Sequence, residues 1–417
     1  MDMIRLKSSG CYNTSMHKSI LVPGLLLVLS LASCTTVGTP DSVAILESQE
    51  KEGADFVEEL ASPTLNQTPT QIPTAVPTAT ATPGPSPTPA PATYFYFEEG
   101  VNPLTGLSVS DPSVLNRRPV MIKVSNWPRE GRPHAGLTSA DLVFEYFIGY
   151  QMNRFLAVYY GEDAGVVGPV RSGRLVDAQL AQLYQGLLAY GNADPQVDEV
   201  LFEVLGERSL TFNALPCPPM CGESTHSATG VFADSGALTA YARENGIDNS
   251  PPDLRGMYFQ SEPPVGDASG LKLRVEYANF SIMEWRYDPE IGNYQLWEEF
   301  DREGVLEMGL MTDRNNDKAV AFENVIVMYA EYLEYAPSLH DIVLQGAQGY
   351  QPALLFRDGR VNYATWRAPE TERPIVFETP DGEPLPLKPG RTWVVIMGQS
   401  SSTTQPAGGE WTIYFDL

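Results

Sequence analysis

Histidine and cysteine are both scarce in this 417-residue chain, with four of each. Metal centres draw on clusters of such ligands at fixed spacing, and neither paired C-x2-C motifs nor H-E-x-x-H occurs. The G-x-S-x-G turn that presents a serine nucleophile is also missing. Basic residues are few: 27 Lys and Arg stand against 52 Asp and Glu, a formal net charge of -25. That balance argues against nucleic-acid binding and against a basic face lying on anionic lipid, and it suits a well-solvated surface. Membrane-spanning runs are missing too. The apolar stretch at residues 20–31 is interrupted by Pro23-Gly24 and falls short of the roughly 20 residues that cross a bilayer.

What is present begins at the N-terminus. Arg5, Lys7 and Lys18 precede that apolar stretch, which ends in Leu31-Ala32-Ser33-Cys34. Small residues before a cysteine, behind a basic and then an apolar region, resemble a bacterial lipobox. The resemblance implies cleavage before Cys34, a diacylglycerol on its thiol and an address on the extracytoplasmic face of the cell membrane. The alternative is a cleaved secretory signal with an incidental cysteine. Cys11 then leaves with the signal and Cys34 carries lipid, so only Cys217 and Cys221 remain. In an oxidising compartment such a pair reads as a disulfide closing a tight loop. A metal site completed by Glu223 and His226 is the competing reading.

Residues 34–93 turn acidic and then Pro/Thr/Ala-rich, with Pro73, Pro77, Pro83, Pro85, Pro87, Pro89 and Pro91 removing backbone donors. So little apolar surface does not offset ordering entropy, and the segment reads as a disordered tether behind a signal peptide at 1–33. Folded sequence begins near residue 94. Strand-like runs at 120–124, 142–148, 155–160, 165–170 and 187–190 alternate with helical patterns at 175–188, 198–205 and 235–244. This predicts a mixed α/β domain over 94–250. A stretch rich in Pro, Gly, Asp and Ser then marks a boundary, and 271–417 reads almost wholly as strands. The expected fold class is α+β, an α/β N-terminal domain followed by a mostly antiparallel β domain. Trp285, Trp297, Trp366, Trp393 and Trp411 fill its core or form a binding platform.

Several phrases in order resemble the YerB-like lipoproteins, an uncharacterised bacterial envelope family with an N-terminal and a C-terminal domain. They include Asn102-Pro103-Leu104-Thr105-Gly106-Leu107, Ala140-Asp141-Leu142-Val143-Phe144-Glu145, Gly168-Pro169-Val170-Arg171-Ser172, Phe356-Arg357-Asp358-Gly359-Arg360 and Leu387-Lys388-Pro389-Gly390-Arg391-Thr392-Trp393. The resemblance implies architecture and address and brings no activity with it. Asp194 stands before Pro195 where the family pattern has serine, and the Cys217/Cys221 pair is a further departure.

Charge supplies the sharpest functional clue. Between residues 117 and 174 eight basic residues face five acidic ones, a local excess of cations in an acidic protein. Arg171-Ser172-Gly173-Arg174 leads into the helix expected from Leu175, where free N–H groups and guanidinium forks suit a phosphate or carboxylate. The candidate ligand-binding residues are Arg132, Glu145, Arg154, Arg171, Ser172, Arg174, Asp194 and His226. In the alternative reading these arginines pair with Glu145, Asp177 or Asp194 inside the fold. The expected function is binding of an anionic cell-wall ligand or an envelope protein, with no cofactor and no metal. A hydrolase or transferase acting on a wall glycan or phosphoester would use Ser172, His226 and Asp194 or Asp177. A structural scaffold is the third reading. His134 and His340 read as turn or surface residues.

Overall fold

The computed structural model describes residues 91–224, 230–347 and 349–417. Cys34, His226 and all but the last three residues of the tether lie outside them. The described chain is β-rich, with two large mixed sheets and three α-helices: α1 (Leu175–Leu183), α2 (Pro195–Leu205) and α3 (Ser235–Glu244).

The larger sheet draws on both halves of the sequence. Its strands lie in the order Ala268–Ser269, Arg360–Arg367, Gln351–Arg357, Asn324–Ala336, Thr392–Gly398, Leu142–Gly149, Met152–Tyr159, Val120–Ser125, Leu187–Tyr190 and Ser209–Thr211. Thr392–Gly398 is the joint. It runs parallel to Asn324–Ala336 on one side and to Leu142–Gly149 on the other, with Thr392 opposite Leu142 and Ile396 opposite Tyr146. All of its residues are buried, which is why it reads as one apolar run. The 251–270 stretch therefore does not separate two cores, because hydrogen bonding between distant segments closes the sheet across it. Within that stretch Tyr258–Phe259 pairs with Pro386–Leu387 and Ala268–Ser269 with Arg360–Arg367.

Both faces of this sheet are covered. On one, Val176, Leu180, Val197 and Leu201 of α1 and α2 pack on Met121, Phe144, Leu156 and Leu188. On the other lies the second sheet, in the order Val305–Leu310, Asn293–Arg302, Ser281–Asp288, Lys272–Ala278, Glu410–Tyr414 and Ser402–Ala407. Leu273, Val275, Trp285 and Ile413 from it, with Leu238 and Ala242 of α3, share a core with Ile122, Phe155 and Trp393. The ring of Trp393 sits 4.9 Å from that of Trp285 and 4.9 Å from that of Phe155. Core packing accounts for Trp285, Trp366, Trp393 and Trp411, while Trp297 is half-buried beneath Arg286.

Local pattern and structure differ in two places. The helix expected over 175–188 ends at Leu183, and Leu187–Tyr190 is a strand. The strand expected at 165–170 is irregular and touches its neighbours through isolated bridges such as Val124 with Val170. The C-terminal part is mostly antiparallel, as its pattern predicts, with parallel pairing where Lys272–Ala278 meets Glu410–Tyr414 and Asn324–Ala336 meets Thr392–Gly398.

Candidate functional site

Val120–Ser125 and Leu187–Tyr190 pair in parallel from Val120/Leu187 to Ile122/Ala189. Past that point residues 171–173 fill the gap between them. Arg171 N–H donates to the Lys123 carbonyl at 3.0 Å, Gly191 N–H to the Arg171 carbonyl at 2.9 Å, and Gly173 N–H to the Asn192 carbonyl at 2.8 Å. The wedge is tightly packed at Gly173, where a Cβ would lie 2.8 Å from Leu201 Cδ1 and that side chain would have to shift. The chain then enters α1, with the Arg174 N–H donating to Asp177 Oδ2 at 2.7 Å. Beside it α2 begins at Asp194, whose Oδ1 accepts from Gln196 N–H at 3.0 Å. Carboxyl ends of parallel strands next to helix N-termini are where α/β sheets commonly bind anions.

A cleft of about 440 Å³ opens here, lined by Trp127, Pro128, Ile148, Met152, Arg154, Arg171, Ser172 and Asn192. Two guanidiniums face it and no carboxylate does. Arg171 is 7% exposed, and its Nε is buried without a hydrogen-bond partner. Arg154 donates to the Ser172 carbonyl at 2.9 Å and Arg174 to the Ser338 carbonyl at 2.6 Å, while Arg174 Nε is also unpartnered. Among the described residues none of the three forms an ion pair. Burial, reinforced by Arg174 and Arg171, lowers Arg154 to about 9, and burial also lowers Arg171 and Arg174. Like charges held together out of water favour an incoming anion. Ser172 Oγ donates to Asn192 Oδ1 at 2.6 Å, which leaves the Asn192 amide NH2 as a donor.

Asp177 does not neutralise these arginines through their side chains. Its Oδ1 is 3.1 Å from the fully buried Nζ of Lys123 and also accepts from the Tyr146 hydroxyl, to which Lys123 is hydrogen-bonded. Burial, opposed by Asp177 and reinforced by Arg154 and Arg174, lowers Lys123 to about 7.

The structure brings Arg154, Arg171, Ser172 and Arg174 together, with the exposed Asp194 at the rim capping α2. Arg132 and Glu145 do not belong to this cleft. The strand Leu142–Gly149 is covered on both faces, so Glu145 lies in the interior, accepting from Trp393 Nε1 at 2.7 Å and Asn153 Nδ2 at 2.8 Å. Burial raises it to about 7. Arg132 is engaged by Glu298 at 3.3 Å and Glu299 at 3.2 Å. Cys217 and Cys221 are joined by a disulfide, with Cα atoms 4.9 Å apart. His134 is buried rather than a surface residue. Its Nε2 lies 2.9 Å from the Ser125 carbonyl, and burial lowers it to about 3. His340 is buried as well, its ring edge-on to Phe147. Trp127, Ile148, Met152 and Asn192 go unremarked in the sequence. The signal that could have found two of them is position, since Trp127 and Asn192 each sit two residues past a strand of the parallel pair.

The chain matches both parts of one family: residues 104–246 match the N-terminal domain, and residues 273–394 the C-terminal domain, of the family described as protein of unknown function (DUF3048). The candidate lipoprotein YerB of Bacillus subtilis (strain 168) is 27% identical over 303 residues, covering 71% of this chain and 85% of that protein. The crystal structure of the YerB protein from Bacillus subtilis aligns with a TM-score of 0.58 at 26% identity, covering 71% of this chain and 96% of that one.

Proposed function

The chain belongs to the two-domain DUF3048 family, and from that premise we propose that it is a lipid-anchored envelope lipoprotein that binds an anionic ligand in the cleft of Arg154 and Arg171. The lipobox-like residues 31–34 and the lipoprotein name of the Bacillus relative support the anchor. One observation carries the ligand: Arg171 is buried with no counter-ion and an unpartnered Nε, in a protein whose net charge is -25. An uncompensated buried guanidinium is costly to hold, so its natural complement is a bound phosphate or carboxylate.

Calorimetric titration of the full chain with inorganic phosphate and with anionic wall fragments tests this reading. Saturable binding that weakens with added salt and drops at least tenfold in Arg171→Gln is the expected result. Equal affinity in wild type and variant rejects it. For the anchor, Cys34→Ser moves the protein from the membrane to the soluble fraction; unchanged fractionation rejects that part.

A further inference from the structure

We propose that the ligand of this cleft is an amphiphile, a phosphate monoester whose apolar body lies along Trp127, Ile148 and Met152; the inference rests on the anion reading above. The cleft lining is of two kinds: Arg154, Arg171 and Asn192 supply donors, while Trp127, Pro128, Ile148 and Met152 form its apolar wall. The tryptophan is held in place, its ring edge-on to Phe280 at 5.6 Å and 4.5 Å from the Arg129 guanidinium. Its Nε1 is a buried donor with no partner. Inorganic phosphate would satisfy the arginines and leave this wall in contact with water. A ligand with an apolar tail covers it as well. Two guanidiniums, Arg154 and Arg171, line the cleft with no carboxylate among the lining side chains, and a pair of cations matches a dianion such as a phosphate monoester better than a single carboxylate.

A larger cleft elsewhere has a different character. Its volume is about 550 Å³, and Asp141, Glu162 and Glu323 line it along with Lys318 and Arg391. Its cations are balanced by acids and its lining is mostly polar, so it suits such a ligand less well.

The test is calorimetric titration of the full chain with inorganic, methyl, butyl and hexyl phosphate, with hexanol as the uncharged control. Affinity rises from methyl to hexyl phosphate by up to about fourfold per methylene, the gain for burying a CH2 group. Arg171→Gln weakens every member, Met152→Gln flattens the rise, and hexanol does not bind. If all four phosphates bind alike, the amphiphile is overturned and the anion reading survives. Binding by none of them overturns both. A hexanol affinity equal to that of hexyl phosphate also overturns the proposal, as non-specific apolar contact. Should Met152→Gln fail to fold, the chain-length series on wild type decides alone.

Discussion

Arg171 is buried, its Nε is out of water without a partner, and among the described residues it forms no ion pair; burying an unpaired charge lowers stability until an anion arrives. Replacing it by an apolar side chain of similar length therefore stabilises the empty protein. In urea unfolding without phosphate, Arg171→Met gains about 1 kcal/mol, and a loss of stability there contradicts the account. Glu145 makes a second residue-scale prediction. Its carboxyl is raised by burial to about 7, so its contribution is fully present at low pH, where the group is protonated folded and unfolded alike. That contribution is lost as pH rises from about 4.5, where the unfolded carboxyl ionises while the buried one stays protonated, to about 7, where the buried one ionises as well. Relative to Glu145→Gln, the wild type loses up to about 1.4 kcal/mol per pH unit within that window; a gap that does not change with pH contradicts it. The arginine loop was legible because four residues in a row carry the signal. Glu145 was misplaced because a charge in sequence does not say whether its strand is covered on one face or two. Met152 and Trp127 meet only through the fold.

At the scale of elements, capping and cross-linking are local and give modest effects. Asp194 accepts the N–H of Gln196 at the start of α2, so Asp194→Ala lowers stability by about 1 kcal/mol. The Cys217–Cys221 bridge spans a sequence separation of 4. Closing so short a loop restricts the unfolded chain by only about 2 kcal/mol, and reduction should cost no more than that in denaturant unfolding. Helix α3 was readable from its pattern over 235–244, and α2 only over 198–205, its first turn from Pro195 being missed. Ser402–Ala407 was not, because every residue in it is exposed and no apolar alternation marks it. It is a strand because its backbone pairs with Glu410–Tyr414, and backbone pairing leaves no trace in side-chain composition. The same reason hides the pairing of Tyr258–Phe259 within a Pro- and Gly-rich stretch.

At the scale of the molecule, the two family segments are one hydrogen-bonded body. Removing everything after residue 250 strips Thr392–Gly398 from Leu142–Gly149 and leaves a long apolar edge open to water and to other chains. The fragment 91–250 is accordingly expected to aggregate or remain unfolded; a cooperative thermal melt by circular dichroism would contradict the shared sheet. The sequence revealed both segments and most strands, but not that the last long apolar strand returns to the first segment. Uniting the segments also frames the cleft, since Arg174 reaches the carbonyl of Ser338 from the second segment. Within an acidic molecule this cleft has cations and no acid among its lining side chains, and the account depends on an anion filling it.

Thermal melts of the full chain and of Arg171→Met, in phosphate and in chloride at matched ionic strength, test that dependence most directly. Phosphate should raise the melting temperature of the wild type alone, as a ligand of the native state does, while the variant melts at the same, higher temperature in both salts. A wild type indifferent to phosphate, or a variant that gains as much from it, would contradict the assignment of Arg171 to an anion site.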